Sequence, residues 1–330
     1  LQDLAAELFI TTNPYVGNKS THKKDVSAAI IRDPSKCIMC RKCETMCNSF
    51  QTVGVLSAVD RAFDAVVKPT FDLPLEQTNC TFCGQCVAVC PTGALVAHTY
   101  IDEVWQEIDN PKKHVVVQTA PAVRVAIAEE FGYEPGTIST GKLVSALRAL
   151  GFDKVFDTDF AADLTIMEEA TEFLDRVKNG GYMPMLTSCC PGWVKFLEHQ
   201  FPSLVEMPSS AKSPQQMFGA IAKSFYAEKN NIDPKDITVV SIMPCIAKKY
   251  EAGRPEINSS DEYKDVDYVL TTRELARMIK EAGLNFDTLP EGQYDSPLGE
   301  STGAAVIFGR TGGVAEAALR TAYEWITGKN

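Results

Sequence analysis

Eight cysteines fall between Cys37 and Cys90, and their spacing constrains this chain more than any other feature. They form two runs, Cys37-x2-Cys40-x2-Cys43-x3-Cys47 and Cys80-x2-Cys83-x2-Cys86-x3-Cys90, the second followed at once by Pro91. Three thiolates on a tight loop can cap one face of an iron–sulfur cubane, while a fourth, slightly further on, reaches a neighbouring cluster. Structural zinc is the competing use of such cysteines, but zinc sites draw on pairs of CxxC rather than runs of four. A disulfide framework also fits poorly, because the chain has 11 cysteines, an odd count, most of them tightly spaced. The doubled run predicts two [4Fe-4S] clusters, one on Cys37, Cys40, Cys43 and Cys90 and the other on Cys80, Cys83, Cys86 and Cys47. Clusters so close together form an electron wire, not a catalyst.

This spacing resembles the bacterial two-cluster ferredoxin signature and predicts a ferredoxin-like α+β domain over residues 30–110. Arg61–Asn79 reads as an insertion between the two cysteine runs. Residues 1–29 read as the remnant of an upstream region, with Leu1–Leu8 the tail of a helix. The first residue is Leu1 and not Met, which predicts further sequence before it; a targeting signal would have been lost with that sequence. The cytoplasm is the expected compartment, with the periplasm the alternative. Asn18–Lys42 carries seven Lys/Arg against two Asp. Those cations either dock an acidic electron donor or offset the anionic clusters as a solvated face, and the two readings weigh equally. Ile101–Asn110 reads as a helix leaving the domain, and Pro111-Lys112-Lys113 as the linker.

From His114 the pattern changes. Strand candidates are His114–Thr119, Lys154–Asp157, Met183–Ser188, Ile237–Met243 and Tyr268–Thr271. Amphipathic helices fit between them at Thr140–Leu150, Ile166–Asn179, Pro214–Glu228 and Thr272–Ala282. Such alternation predicts an α/β catalytic domain over residues 111–330, with a mostly parallel sheet flanked by helices. With 330 residues, 45% of them hydrophobic, the chain can bury a sizeable core. A net charge of −11 excludes general nucleic-acid binding, and no apolar run approaches the length of a membrane span.

Sites in such sheets lie at the carboxyl ends of strands. Ala120-Pro121, Cys189-Cys190 and Cys245 are all placed there by this pattern. A buried free cysteine is often only a small hydrophobe, but the doublet, its loop position and the third cysteine favour a metal site. Neighbouring side chains at a strand end point opposite ways, so one thiol of the doublet can bind metal while the other faces a different cavity. Glu169, Glu172 and Arg176 share one helix face. A solvated charged face would be the default reading, but the next strand brings the cysteine pair to the same end of the sheet. Gly309-Arg310-Thr311-Gly312-Gly313 lacks the Walker lysine and reads as a close turn beside the site. His22, His98, His114 and His199 have no metal-like neighbours at helical spacing and read as structural.

Together these residues resemble the [FeFe]-hydrogenase family, from about Arg32 to the last residue. The first signature stands as Thr187-Ser-Cys-Cys-Pro-Gly-Trp193, the second as Met243-Pro-Cys-Ile-Ala-Lys-Lys-Tyr-Glu251. The resemblance implies an H-cluster: a [4Fe-4S] cubane joined to a two-iron centre carrying CO, cyanide and an azadithiolate. Cys190 and Cys245 would be cubane ligands. Cys189 would relay protons, Lys248 would hydrogen-bond a cyanide, and Met243, Ala120, Pro121 and Gln215 would line the two-iron pocket. Glu169, Ser209, Glu172 and Arg176 match the family's proton path. The implied reaction interconverts protons plus electrons with H2, fed by a ferredoxin or another electron-transfer subunit, with a multi-subunit complex, coupled to NADH or formate chemistry, a further option. The family's third signature, with two more cysteines, does not occur after Cys245; a C-terminal part beyond Asn330 is the expected source, a second chain the alternative. Two other readings compete: a hydrogenase-like iron–sulfur assembly or scaffold factor, and an electron-transfer module without H2 chemistry. Assembly relatives tend to lack the relay cysteine, so Cys189 and the Glu/Ser/Arg set favour the enzyme.

Overall fold

The computed structural model describes residues 2–12 and 22–329. Leu1 and the start of the basic stretch, residues 18–21, lie outside them. The chain separates into two compact units, one of residues 1–78 with 85–96, the other of residues 79–84 with 97–330.

In the smaller unit, β1 (Asp25–Val26) and β2 (Ile30–Arg32) pair antiparallel, and β3 (Ser57–Val59) pairs antiparallel with β4 (Val66–Lys68). A third short strand, β5 (Leu95–Ala97), completes a sheet ordered β1-β2-β5. Ile30, Val66 and Leu75 form its apolar interior. The stretch between the cysteine runs is thus structural: it supplies β4, the buried Leu75, and Asp72, which pairs with the buried Arg32 at 3.2 Å. A helical turn at Lys42–Thr45 passes into a wider π turn at Met46–Phe50, which carries Cys47.

The larger unit is built on a four-stranded sheet, ordered β7-β6-β8-β9: β6 (His114–Thr119), β7 (Lys154–Asp157), β8 (Ile237–Met243) and β9 (Tyr268–Thr271). All three pairings are parallel. Every residue of β8 is buried, as expected of a strand covered on both faces. Val115–Val117, Val155, Phe156, Val239, Val240 and Ile242 meet Leu143, Leu147, Phe218, Leu275 and Ile279 from the covering helices in one core. Because β7 lies on one side of β6 and β8 on the other, the chain reverses direction across the sheet between β6 and β8, the place where α/β sheets open a crevice.

Four of the five strand candidates are present with the expected bounds. The fifth, Met183–Ser188, is not a ladder strand: it makes one bridge, Leu186 with Pro208. Pro184 has no N–H to donate, and the segment follows a left-handed Gly180 cap, so only Leu186 pairs, with Met207 and Ser209. The helix expected from Ile166 begins at Thr158, where the Asp157 side chain accepts the Asp159 N–H as a cap. The helix expected over Pro214–Glu228 is helical to Asn230 but passes through a π turn at Ala222–Tyr226.

Candidate active site and cluster-binding loops

In the smaller unit, Cys37, Cys40, Cys43 and Cys90 line a single cavity with Ile38, Pro91 and Leu95. This is the crosswise set read from the spacing, three thiols from the first run and the last from the second. Burial pushes the Cys43 thiol up to about 11. Burial also acts to raise Cys90, but the N–H groups of Thr92, Leu95 and Ala94 and the Thr92 hydroxyl outweigh it and hold the thiol below its ordinary value. Such N–H donors favour a thiolate. Of the second set, Cys47 and Cys86 belong to the smaller unit and Cys80 and Cys83 to the larger.

The loop bearing Cys80 and Cys83 is embedded in the larger unit. Phe82 is fully buried and stacks on Tyr250, ring centroids 4.7 Å apart. The buried Lys195 ammonium lies over both rings, 4.7 Å from the Phe82 centroid and 4.3 Å from that of Tyr250. A side chain at Gly192 would stand 3.4 Å from the Thr81 carbonyl, and one at Gly84 would meet Ile246. The loop is therefore held between the residues that follow Cys190 and those that follow Cys245.

At the carboxyl ends of β6 and β8 a cavity of about 320 Å³ is lined by Ala120, Pro121, Cys189, Gln215, Met243, Cys245 and Lys248. Six of these seven are the pocket residues and metal ligand expected at the site, and the seventh is the expected relay, Cys189. Cys190 caps the Pro191–Gln200 helix in an extended conformation and is exposed, whereas Cys189 is half-buried. The two thiols thus meet different surroundings, although a loop and not a strand presents them. Burial pushes Cys189 up to about 11; the Lys248 ammonium opposes this and Glu169 adds to it. Cys245 is raised by burial, and its neighbour Cys190 adds to the effect.

Lys248 donates to the Cys189 carbonyl at 2.8 Å and to Glu251 Oε2 at 2.9 Å. Gln215 Nε2 donates to the same Glu251 oxygen at 3.0 Å, while its Oε1 is buried without a hydrogen-bond partner. Glu169 is fully buried, and neither carboxylate oxygen has a hydrogen-bond partner. Burial pushes its acid up to about 7, and the nearby Glu172 carboxylate adds to the rise. Further out, the Ser209 hydroxyl donates to Glu172 at 2.7 Å, and Arg176 holds Glu172 at 2.6 Å. Burial acts to raise Glu172, but the Ser209 and Arg176 hydrogen bonds outweigh it and hold it below the usual carboxylate range. Arg176 also donates to the carbonyls of Tyr182, Met207 and Pro208, so it fixes the segment that leads to Cys189.

Thr158, Asp159, Phe308 and Val314 also line the cavity without having been singled out from the sequence. Nothing in their residue types marks them; only the fold brings them there. Glu251 was missed as well, although its place three residues after Lys248 on one helix was a readable signal.

The profile described as "Iron only hydrogenase large subunit, C-terminal domain" matches residues 113–330, and that of a "4Fe-4S dicluster domain" matches residues 36–94. The chain is 61% identical to the NADP-reducing hydrogenase subunit HndD of Solidesulfovibrio fructosivorans, over 100% of this chain and 57% of that protein. It is 43% identical to iron hydrogenase 1 of Clostridium pasteurianum, over 93% of this chain and 54% of that one. The solved structure of an apo [FeFe]-hydrogenase HydA1 variant from Chlamydomonas reinhardtii superposes with a TM-score of 0.63 at 50% identity, covering 70% of this chain and 60% of that one. The chain spans little more than half the length of these relatives.

Proposed function

The chain belongs to the iron-only hydrogenase large-subunit family, and from that premise we propose that it carries the H2-converting centre of an [FeFe]-hydrogenase, wired to two [4Fe-4S] clusters. One observation carries this: the cavity at the β6/β8 crevice brings Cys189, Cys245, Lys248, Gln215, Met243 and Pro121 to one place. These residues fit an H-cluster. They offer a soft thiolate donor, an ammonium, apolar walls, and a buried Gln215 oxygen with no protein partner.

Bound there, the H-cluster supplies the iron at which two protons and two electrons combine to H2 or are released from it. Cys190 and Cys245 would hold the cubane as thiolates, two of its ligands. Cys189 keeps its Sγ–H because burial disfavours the thiolate, and donates that proton into the cavity. Glu169, an acid poised near neutral pH, reprotonates it. Ser209 and Glu172 bring protons from the surface in to Glu169, the same path running outward when H2 is split, and Arg176 holds Glu172 in place. Lys248 presents an ammonium to an anionic ligand, and Met243, Ala120 and Pro121 keep that face dry. Cys37, Cys40, Cys43 and Cys90 would hold one [4Fe-4S] cluster and Cys47, Cys80, Cys83 and Cys86 the other, and these would supply one-electron transfer to the centre. A ferredoxin or a partner subunit supplies the electrons.

The relatives quoted are named hydrogenases, which favours the enzyme over the assembly-factor and pure electron-transfer readings. Among the described residues no helix is long and apolar enough to cross a membrane. Infrared spectroscopy of the complete, matured protein tests the proposal. CO and cyanide bands with H2 evolution from a reduced dye support it; matured protein holding ferredoxin-type iron alone overturns it.

A further inference from the structure

We infer that Glu251 is a positioning residue that sets both polar walls of the two-iron pocket at once, orienting Lys248 and Gln215 through a single carboxylate oxygen. The inference rests on the proposed function and deepens it. Lys248 and Gln215 come from different helices, Ala247–Ala252 and Pro214–Ile221. Both donate to Glu251 Oε2, at 2.9 and 3.0 Å. The Gln215 amide also donates to the Lys248 carbonyl at 3.2 Å, and Lys248 to the Cys189 carbonyl at 2.8 Å. Four groups are thus closed into one network that includes the backbone of the relay cysteine.

Glu251 dictates more than distance. Both neighbours of the Gln215 amide, Glu251 Oε2 and the Lys248 carbonyl, are pure acceptors, so the NH2 end must face them. The Gln215 oxygen is then left over as a buried acceptor with no partner in the protein. Such a group is costly to bury and becomes satisfied only by a donor from whatever fills the cavity. With an amide in place of the Glu251 carboxylate, the oxygen can still accept, but Lys248 loses its counter-charge and the new NH2 group can turn toward Lys248 or Gln215, so the two donors are no longer fixed by one anion. Glu251 is almost wholly buried, and the pairing with Lys248 compensates a carboxylate that would otherwise be stranded.

The test compares the complete matured wild-type enzyme with E251Q and E251D, reading iron content, the cyanide stretching bands and the occupancy of the two-iron centre. E251Q should keep its cubane and ferredoxin-type iron, shift the cyanide bands, and lower two-iron occupancy on the order of 10-fold. E251D, which restores the charge on a shorter stem, should recover part of both. Cyanide bands and occupancy in E251Q that match wild type overturn the inference. So does loss of the cubane along with the two-iron centre in both variants, since that marks a merely structural role. Wild-type protein without CO and cyanide bands overturns the hydrogenase proposal itself, and this inference with it.

Discussion

Cys189 and Cys190 meet different surroundings, and the proposed function gives them separate roles, relay and ligand. Cys189→Ala in the complete enzyme should keep the CO and cyanide bands and cut turnover about 100-fold or more, the loss expected when a positioned proton carrier is removed. Full activity in that variant would remove Cys189 from the path. Glu169 makes a second prediction through stability. In the unfolded chain its carboxyl ionises near its ordinary value of 4.5, whereas in the fold it does so at about 7. Between those limits the folded state holds a proton that the unfolded state has released, so stability falls as pH rises and levels off above about 7. The full effect is on the order of 3 kcal/mol. Glu169→Gln should therefore flatten the melting temperature between about pH 5 and pH 8, and an unchanged slope would locate the buried proton elsewhere. Both residues were singled out in the sequence, Cys189 by its place in the doublet and Glu169 by its helix face. Glu251 was legible only as part of a signature, because what makes it matter is a hydrogen bond to a helix 36 positions away, from Gln215.

The elements repeat this division. Strands β6 to β9 were readable to the residue because parallel strands buried on both faces are unbroken apolar runs. The run at Met183–Leu186 is equally apolar but contains Pro184, and it pairs through one bridge at Leu186 rather than through a ladder. Hydropathy alone cannot distinguish these cases, since it records side chains and not which N–H groups remain to be paired. The Cys80–Cys83 loop was legible as a ligand loop, but not as part of the larger unit's packing. Phe82 carries that packing, stacked on Tyr250 beneath Lys195. Phe82→Ala should destabilise the larger unit by about 3–5 kcal/mol, the usual cost of emptying a buried aromatic site. It should also lower the iron content by up to one cubane, that of the second cysteine run. A variant with wild-type melting and iron content would show that the loop is held by its cluster and not by its ring.

At the scale of the molecule, the order of domains and the place of the crevice followed from two patterns, cysteine spacing and the alternation of strands with helices. What neither pattern contains is how charge is fixed inside. Lys195 is buried and sits against the ring of Phe82, on the loop that carries two of the thiols, and against that of Tyr250 in the helix after Cys245. A cation held in a dry, packed site has little freedom to move, and there is little water around it to turn. An electron arriving nearby is then met by a field that is already in place, so the step demands little rearrangement of its surroundings. Ions in the solvent, which screen exposed charges over a Debye length of roughly 8 Å at physiological salt, have no access to it. Electron transfer inside the matured protein, followed by flash photolysis, should accordingly be indifferent to ionic strength. Where an acidic external donor docks on the basic stretch, capture of its electrons should slow as salt is added, while a solvated face would leave that step unchanged, so a salt titration divides the wire into its encounter and its interior.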